Sequence, residues 1–206
     1  MAYSTVQACA EDEFTEQRSR FIGYIAPVSS EQQAMEFIGG IKAKHRDATH
    51  NVFAYTLQNG QIRRCSDDGE PSGTAGAPVL DVILKEGLTD VAVVVTRYFG
   101  GILLGAGGLA RAYSHAAKLA VNAAQRVEMT ECILLSLTMA YNWYAQVQRV
   151  LPRYNAQVQG SDFAAEVGLT VLIRAERAQA FVEELTELSA ATIRTEMVLR
   201  TFGSIA

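Results

Sequence analysis

The sequence lacks the features that mark most membrane, secreted and metal-binding proteins. No apolar run reaches the roughly 18 residues that a membrane-spanning helix needs. The stretch Met1–Arg18 is polar and acidic, unlike the basic and then apolar pattern of a signal peptide. The three cysteines, Cys9, Cys65 and Cys132, are an odd number and form no Cys-x-x-Cys pair. These absences predict a reduced cytoplasmic protein with no membrane partner.

Excess positive charge and the common catalytic motifs are also missing. The net charge is −4, so we expect no DNA specificity and no indiscriminate binding of nucleic acid, and any RNA contact must be local. There is no GxxxxGK[ST], no G-x-S-x-G and no H-x-x-x-H. The sequence therefore gives no support to a P-loop, a serine-hydrolase elbow or a zinc site.

Glycine, in contrast, is concentrated in two short stretches, residues 66–76 and 100–108, which hold eight of the 16 glycines. The second stretch follows the β-branched run that begins at Val91 and precedes an alanine-rich segment, which indicates a strand, a loop and the start of a helix. Glycine-rich loops expose backbone amides, and a helix N-terminus adds its dipole, so such a loop favours an anion such as phosphate. We expect the two stretches to meet on one face.

Arginine binds phosphate through paired hydrogen bonds, and aromatic rings stack on bases. The sequence is equally compatible with Phe99 packing in the core and with Phe99 stacking on a base. The predicted anion-binding or RNA-binding residues are Arg20, Arg97, Tyr98, Gly100, Gly101, Gly105, Gly107, Gly108, Ser72, Gly73 and Thr74.

The acidic residues Asp67, Asp68 and Glu70 allow two interpretations. They could hold a divalent cation, or they could form a solvated turn in which Asp68 or Ser66 accepts hydrogen bonds from the loop's own amides. We favour the turn. His50 precedes a predicted strand and is a further candidate functional residue.

Two histidines and one glycine motif are not expected to belong to a functional site. His45 and His115 are expected to be surface or boundary residues. Residues 105–110 fit G-x-G-x-x-A, but they lie too far from the preceding strand for a dinucleotide site, so no cofactor is expected.

The pattern of apolar residues predicts an α+β protein with two domains, residues 1–128 and 129–206. For the second domain the pattern predicts the order β-α-β-β-α-β, which is typical of a ferredoxin-like fold. A turn is expected at Ser161-Asp162. In the first domain, the segment before Phe14 is expected to be weakly ordered. A strand over 18–27 is followed by a helix capped by Ser29 or Ser30, and then by strands over 51–57 and 62–65 joined at Asn59-Gly60. The remaining predicted elements are a helix over 77–86, a strand over 91–96 and a helix over 103–125.

Four motifs closely resemble the IMPACT family, in particular its bacterial branch: residues 18–21 (RSRF), 50–51 (HN), 66–76 (SDDGEPSGTAG) and 97–105 (RYFGGILLG). The resemblance implies a first domain with the fold shared by a small-subunit ribosomal protein and the fourth domain of the translocation elongation factor. It implies a second domain similar to that factor's fifth. Eukaryotic relatives regulate translation through an extra amino-terminal domain that this chain lacks. Gln17-Arg18 stands where bacterial members often show two lysines.

The resemblance and the loops together predict a non-enzymatic, translation-associated protein that contacts ribosomal or other structured RNA, or translation-related proteins. One alternative is a nucleotide- or phosphate-dependent enzyme, with residues 105–108 as a kinase-like phosphate loop and the acidic residues as Mg²⁺ ligands. Another is a protein-binding module that docks partners on the second domain's sheet.

Overall fold

The computed structural model describes residues 2–57 and 60–205. The predicted hairpin turn at Asn59-Gly60 therefore lies partly outside the described residues. The chain divides into two compact units, residues 3–127 and residues from 128 onward. The predicted α+β fold class with two domains is confirmed.

The first unit is built on an antiparallel sheet with the strand order β2-β3-β6-β4-β5. Its elements are β1 (Tyr3–Val6), β2 (Ala10–Glu16), β3 (Ser19–Pro27), α1 (Glu31–Lys44), β4 (His50–Leu57), β5 (Ile62–Ser66), α2 (Gly76–Lys85), β6 (Val91–Tyr98) and α3 (Gly105–Ala123).

Helices cover both faces of this sheet. Because successive side chains of a strand point to opposite faces, Val91, Val93 and Val95 of β6 pack in the core with α2 and α3. Ala92 and Val94 pack in a second core with α1. This arrangement explains why the β6 sequence is continuously apolar rather than alternating.

The predicted start of α1 is confirmed. Ser30 has extended backbone geometry, and its hydroxyl accepts a hydrogen bond from the Gln33 amide at 3.2 Å. The side chain thus satisfies one of the amides that a helix leaves unpaired in its first turn.

The segment before Phe14 is not weakly ordered, so that expectation is wrong. Residues 10–16 form β2 and pair with β3 in an uninterrupted antiparallel register from Ala10↔Ile25 to Glu16↔Ser19. Ala10 and Phe14 pack against the core, whereas Glu11 and Glu13 are exposed. An edge strand needs few apolar side chains because its backbone hydrogen bonds hold it, and this one resembles a loop in composition.

The second unit has the predicted β-α-β-β-α-β order and the strand order β10-β7-β9-β8 of a ferredoxin-like fold. Pro152 lies in a 3-10 turn, Leu151–Tyr154, that follows the first helix of this unit. The elements are β7 (Arg126–Met139), α4 (Tyr141–Val150), β8 (Gln157–Phe163), β9 (Val167–Arg174), α5 (Ala175–Ser189) and β10 (Arg194–Gly203).

Ser161 and Asp162 do not form a turn, which corrects a second expectation. Both lie within β8, where Asp162 pairs with Gly168 of β9, and the chain reverses at residues 164–166. Every residue of β8 is exposed, so polar residues cost this edge strand little.

No helix within residues 2–57 and 60–205 combines the length and the apolar character that crossing a bilayer requires.

Candidate functional site

A buried carboxylate connects the acidic loop with three elements of the first unit. Arg97 Nη1 donates to Glu70 Oε1 at 2.6 Å, and the Tyr113 hydroxyl donates to the same oxygen at 2.8 Å. His50 Nε2 lies 3.8 Å from Glu70 Oε2. Glu70 is 8% exposed and Arg97 5%. The pair therefore ties the loop to β6 and α3, and the charge of Arg97 is balanced inside the protein.

Two aromatic rings and a serine also contact the Arg97 guanidinium. Its central carbon lies 5.4 Å from the centre of the Phe21 ring and 5.3 Å from that of Phe99. Nη2 lies 3.5 Å from Ser19 Oγ, whereas Nε has no hydrogen-bond partner among the described residues. Burial, followed by the hydrogen bond to Glu70, raises the pKa of Tyr113 far above its ordinary value, so its hydroxyl remains a donor.

The Asp67 side chain accepts hydrogen bonds from backbone amides just before α2 and at its first residue. Its carboxylate accepts from the amides of Gly73 at 2.9 Å, Ala75 at 3.0 Å and Gly76 at 2.8 Å. Burial alone would raise the pKa of Asp67, but these three donors lower it below its ordinary value. The carboxylate occupies the position at a helix N-terminus that a bound anion would take.

The favoured turn interpretation of residues 66–76 agrees with these contacts, although Asp67 rather than Asp68 accepts most of the amides. Ser66 Oγ accepts from the Asp68 amide at 3.2 Å. Thr74 donates its hydroxyl to the Pro71 carbonyl at 2.7 Å, and Ser72 is exposed. The amide of Gly73, which the sequence offers to a ligand, is taken by Asp67.

We expect Asp67→Asn to lower the free energy of unfolding by about 1–3 kcal/mol, because a neutral amide is a weaker acceptor for three N–H donors. The pKa of Asp67 is lower in the folded protein than its ordinary value of 3.8. Its contribution is therefore fully present above that value and is lost as the pH falls through the folded pKa. Urea unfolding between about pH 3 and pH 7 should show the two proteins converging at the acid end. A constant difference across this range would contradict the assignment.

Asp68 has separate partners in the first unit. Its carboxylate accepts from the Asn51 amide at 2.7 Å and from Lys42 Nζ at 2.6 Å, and its carbonyl oxygen lies 2.8 Å from His50 Nδ1. In the described part of the chain, no group of three or more His, Cys, Asp or Glu side chains is placed to hold a metal ion. The carboxylates of Asp67, Asp68 and Glu70 thus serve three different sets of protein groups.

The second glycine stretch lies against the turn between β2 and β3. A Cβ atom on Gly100 would lie 2.1 Å from the backbone carbonyl of Arg18, so only glycine fits there. The Gly100 amide donates to Ser19 Oγ at 3.1 Å. Gly101 and Gly105 have φ angles of 84° and 68°, which also favour glycine. The loop is therefore positioned by its glycines.

The first turn of α3 exposes backbone amides. Gly105 and Gly107 are exposed, Gly108 is half-buried, and no described side chain caps this helix. The guanidinium of Arg111, one helical turn further on, lies 3.8 Å from where a Cβ on Gly107 would be. Sequence reasoning missed Arg111, although its spacing of four from Gly107 places both on one helix face.

Arg18 and Arg20 flank the same loop. Arg20 pairs in register with Tyr98 across β3 and β6, and its exposed guanidinium contacts Glu13 at 2.5 Å. Gln17, Gly108 and Arg111 line one cavity of about 350 Å³. We call residues 99–108, together with Arg18, Arg20 and Arg111, the glycine-loop surface.

His45 is buried, so its expected surface or boundary position is wrong. Its ring nitrogens lie 2.7 Å from the Tyr24 hydroxyl and 2.8 Å from the Tyr98 hydroxyl, and it is 8% exposed. Burial, followed by the charge of Lys44, lowers the pKa of His45. Tyr98, a predicted RNA contact, therefore has its hydroxyl engaged with His45 and with Asp47 Oδ1 at 3.2 Å.

Comparisons with known proteins agree with this architecture. Residues 17–121 match the Impact N-terminal domain, and residues 137–192 match a domain of unknown function, DUF1949. The chain is 40% identical to IMPACT family member YvyE of Bacillus subtilis over 189 residues, which are 91% of this chain and 87% of that protein. It is 32% identical to IMPACT family member YigZ of Escherichia coli, over 86% of this chain and 88% of that protein.

A solved structure described as a hypothetical protein has a TM-score of 0.65 and 29% sequence identity, covering 96% of this chain and 98% of that one. Protein IMPACT-A of Xenopus tropicalis matches over 97 residues, 44% of this chain and 30% of that protein, at 39% identity.

These features define a two-domain α+β protein with an ordered glycine-rich loop at the end of the first sheet. The chain belongs to the IMPACT family.

Proposed function

We propose that this protein is a translation-associated regulatory protein of the cytoplasm that binds ribosomal or other structured RNA through its glycine-loop surface. The resemblance to translation regulators and to elongation-factor domains supports the link with translation. One observation supports the RNA contact: the uncapped first turn of α3 lies beside the Arg111 guanidinium.

The chemistry of this surface suits phosphate. Backbone amides at the positive end of α3 and exposed arginines on either side of the loop would bind oxygens of an RNA backbone. In the described residues, neither Arg18 nor Arg111 has an ion-pair or hydrogen-bond partner for its guanidinium. Their charges are therefore available to a ligand, in contrast to that of Arg97.

In this proposal Arg97 positions the glycine-rich loop and does not itself contact the RNA. Its ion pair with Glu70 and its contact with Phe99 hold the strand end from which the loop starts. Ser19 accepts from Gly100 and thereby fixes the next residue of the loop. Arg97→Ala would disturb a buried ion pair and is a poor test of RNA contact.

The test is co-sedimentation of the purified protein with ribosomal subunits over a salt series, with the double variant Arg18→Gln/Arg111→Gln. We expect the variant to bind roughly tenfold more weakly at low salt. The slope of the logarithm of the binding constant against that of salt should fall by about 1 for each lost phosphate contact.

Arg149→Gln is the matched control, because it removes an exposed positive charge from α4 in the second unit. It should leave both the binding constant and the slope unchanged. Failure of the wild-type protein to pellet at any salt concentration would refute ribosome binding. An unchanged slope in the double variant would show that the glycine-loop surface does not contact the RNA.

A further inference from the structure

The ring of Phe99 is an exposed aromatic surface with a rigid support. Phe99 is 45% exposed, and one face of its ring lies over the Arg97 guanidinium at 5.3 Å. The guanidinium also lies over Phe21, which in turn stacks on Phe14 at 5.3 Å between ring centres. The rings and the guanidinium form a continuous column, Phe14–Phe21–Arg97–Phe99, that runs from the sheet edge to the surface.

Hydrogen bonds hold the backbone beneath this last ring. The Phe99 amide donates to Thr49 Oγ1 at 3.1 Å, and the Thr49 amide donates to the Arg97 carbonyl at 2.9 Å. The next residue, Gly100, is tied to Ser19. Because the ring also lies against the Arg97 guanidinium, it should lose little side-chain entropy when a flat ligand stacks on its other face.

Two arginines lie on the backbone segments next to Phe99. Gly100 packs against the backbone of Arg18, whose exposed guanidinium has no partner among the described residues. Arg20 pairs in register with Tyr98, so its side chain lies on the sheet face opposite to that of Arg97, where it contacts Glu13. A nucleotide combines a flat base with a negative phosphate, and this combination suits an exposed aromatic face with an unpaired arginine on the adjoining turn.

We propose that Phe99 stacks on an unpaired base of the bound RNA while Arg18 contacts a neighbouring phosphate. This inference rests on the proposed function and names its ligand class: RNA with a loop, a bulge or a single-stranded end. A fully paired duplex hides its base faces and should use the arginines and amides alone.

The test compares two probes by fluorescence anisotropy: an RNA hairpin with 2-aminopurine in its unpaired loop and a fully paired RNA duplex of the same stem. The wild-type protein should prefer the hairpin and should quench the 2-aminopurine emission. Phe99→Leu should weaken hairpin binding by between about 5-fold and about 100-fold, the range of one lost base stack, and should remove the quenching. Because stacking releases no counterions, the salt slope of this variant should be unchanged.

The control variants separate stacking from other effects. Phe99→Trp retains an aromatic face and should preserve hairpin binding and quenching. Phe202→Leu alters a ring of similar exposure, 44%, in β10, and should have no effect.

The outcomes also separate the two proposals. Equal binding of hairpin and duplex, with no effect of Phe99→Leu, would overturn base stacking and leave backbone contact standing. Absence of binding to both probes and to ribosomal subunits would overturn the proposed function and base stacking together.

Discussion

Glu70→Gln is expected to lower the free energy of unfolding by about 3–5 kcal/mol, as does removal of one partner from other buried ion pairs. The guanidinium of Arg97 is 5% exposed and would be left without a counter-charge. The variant also weakens the acceptor of the Tyr113 hydroxyl. Urea unfolding followed by circular dichroism measures the change.

The same substitution in an exposed ion pair is the control. Glu13 pairs with Arg20, and both side chains are about half exposed, so Glu13→Gln should cost less than about 1 kcal/mol. Equal effects of Glu13→Gln and Glu70→Gln would contradict a buried, charge-balancing role for Glu70.

A double-mutant cycle measures the coupling between Glu70 and Arg97. Arg97→Met should be strongly destabilising alone, because it leaves the Glu70 carboxylate without its main partner. The double variant Glu70→Gln/Arg97→Met removes both charges, so its loss should be smaller than the sum of the single losses by about 1–3 kcal/mol. Additive losses would show that the two side chains act independently.

Gly23→Ala is the second change with a large expected effect. A Cβ at this position of β3 would lie 2.3 Å from the Ala116 carbonyl oxygen of α3 and 3.1 Å from the Ala120 Cβ. Neither strand nor helix backbone can yield locally, so α3 must move away from the sheet. We expect a loss of about 3 kcal/mol, the upper part of the usual range for overpacked cores, in the same urea measurement.

Gly39→Ala is the matched control for Gly23→Ala. Gly39 lies in α1, and a Cβ there would meet no atom within 4 Å. Alanine in a helix avoids the entropic cost of glycine, so this variant should be more stable by about 0.5–1 kcal/mol. If Gly23→Ala were as stable as the wild-type protein, the close approach of β3 and α3 would be refuted.

Local sequence patterns predicted most elements of the fold. The apolar run at Val91, the capped start of α1 and the β-α-β-β-α-β order all depend on residues close in sequence, and the structure confirms them. The patterns failed at β2 and at β8, which are exposed edge strands. Pairing with a neighbouring strand, rather than burial of their own side chains, determines these strands.

For the candidate site, the sequence indicated the glycine-rich and acidic segments but not the partners of each residue. The acidic loop is tied to β6 and α3 through Glu70, whose partner Arg97 lies 27 residues away and whose partner Tyr113 lies 43 residues away. Nothing local distinguishes an arginine that is paired internally from one that is exposed. Arg97 and Arg111 look equivalent in the sequence, although one is buried and the other faces solvent.

The sequence by itself determined the family, the fold class and the position of the glycine-rich loop, because motifs, hydrophobic period and glycine content are local properties of the chain. Only the tertiary structure decided that Glu70 balances the charge of Arg97, that Asp67 accepts hydrogen bonds at the start of α2 and that the backbone of Arg18 lies against Gly100. The contact of Asp67 forms within its loop, whereas the other two are made when strands and helices pack. The partner of a buried charge therefore depends on residues that are distant in sequence.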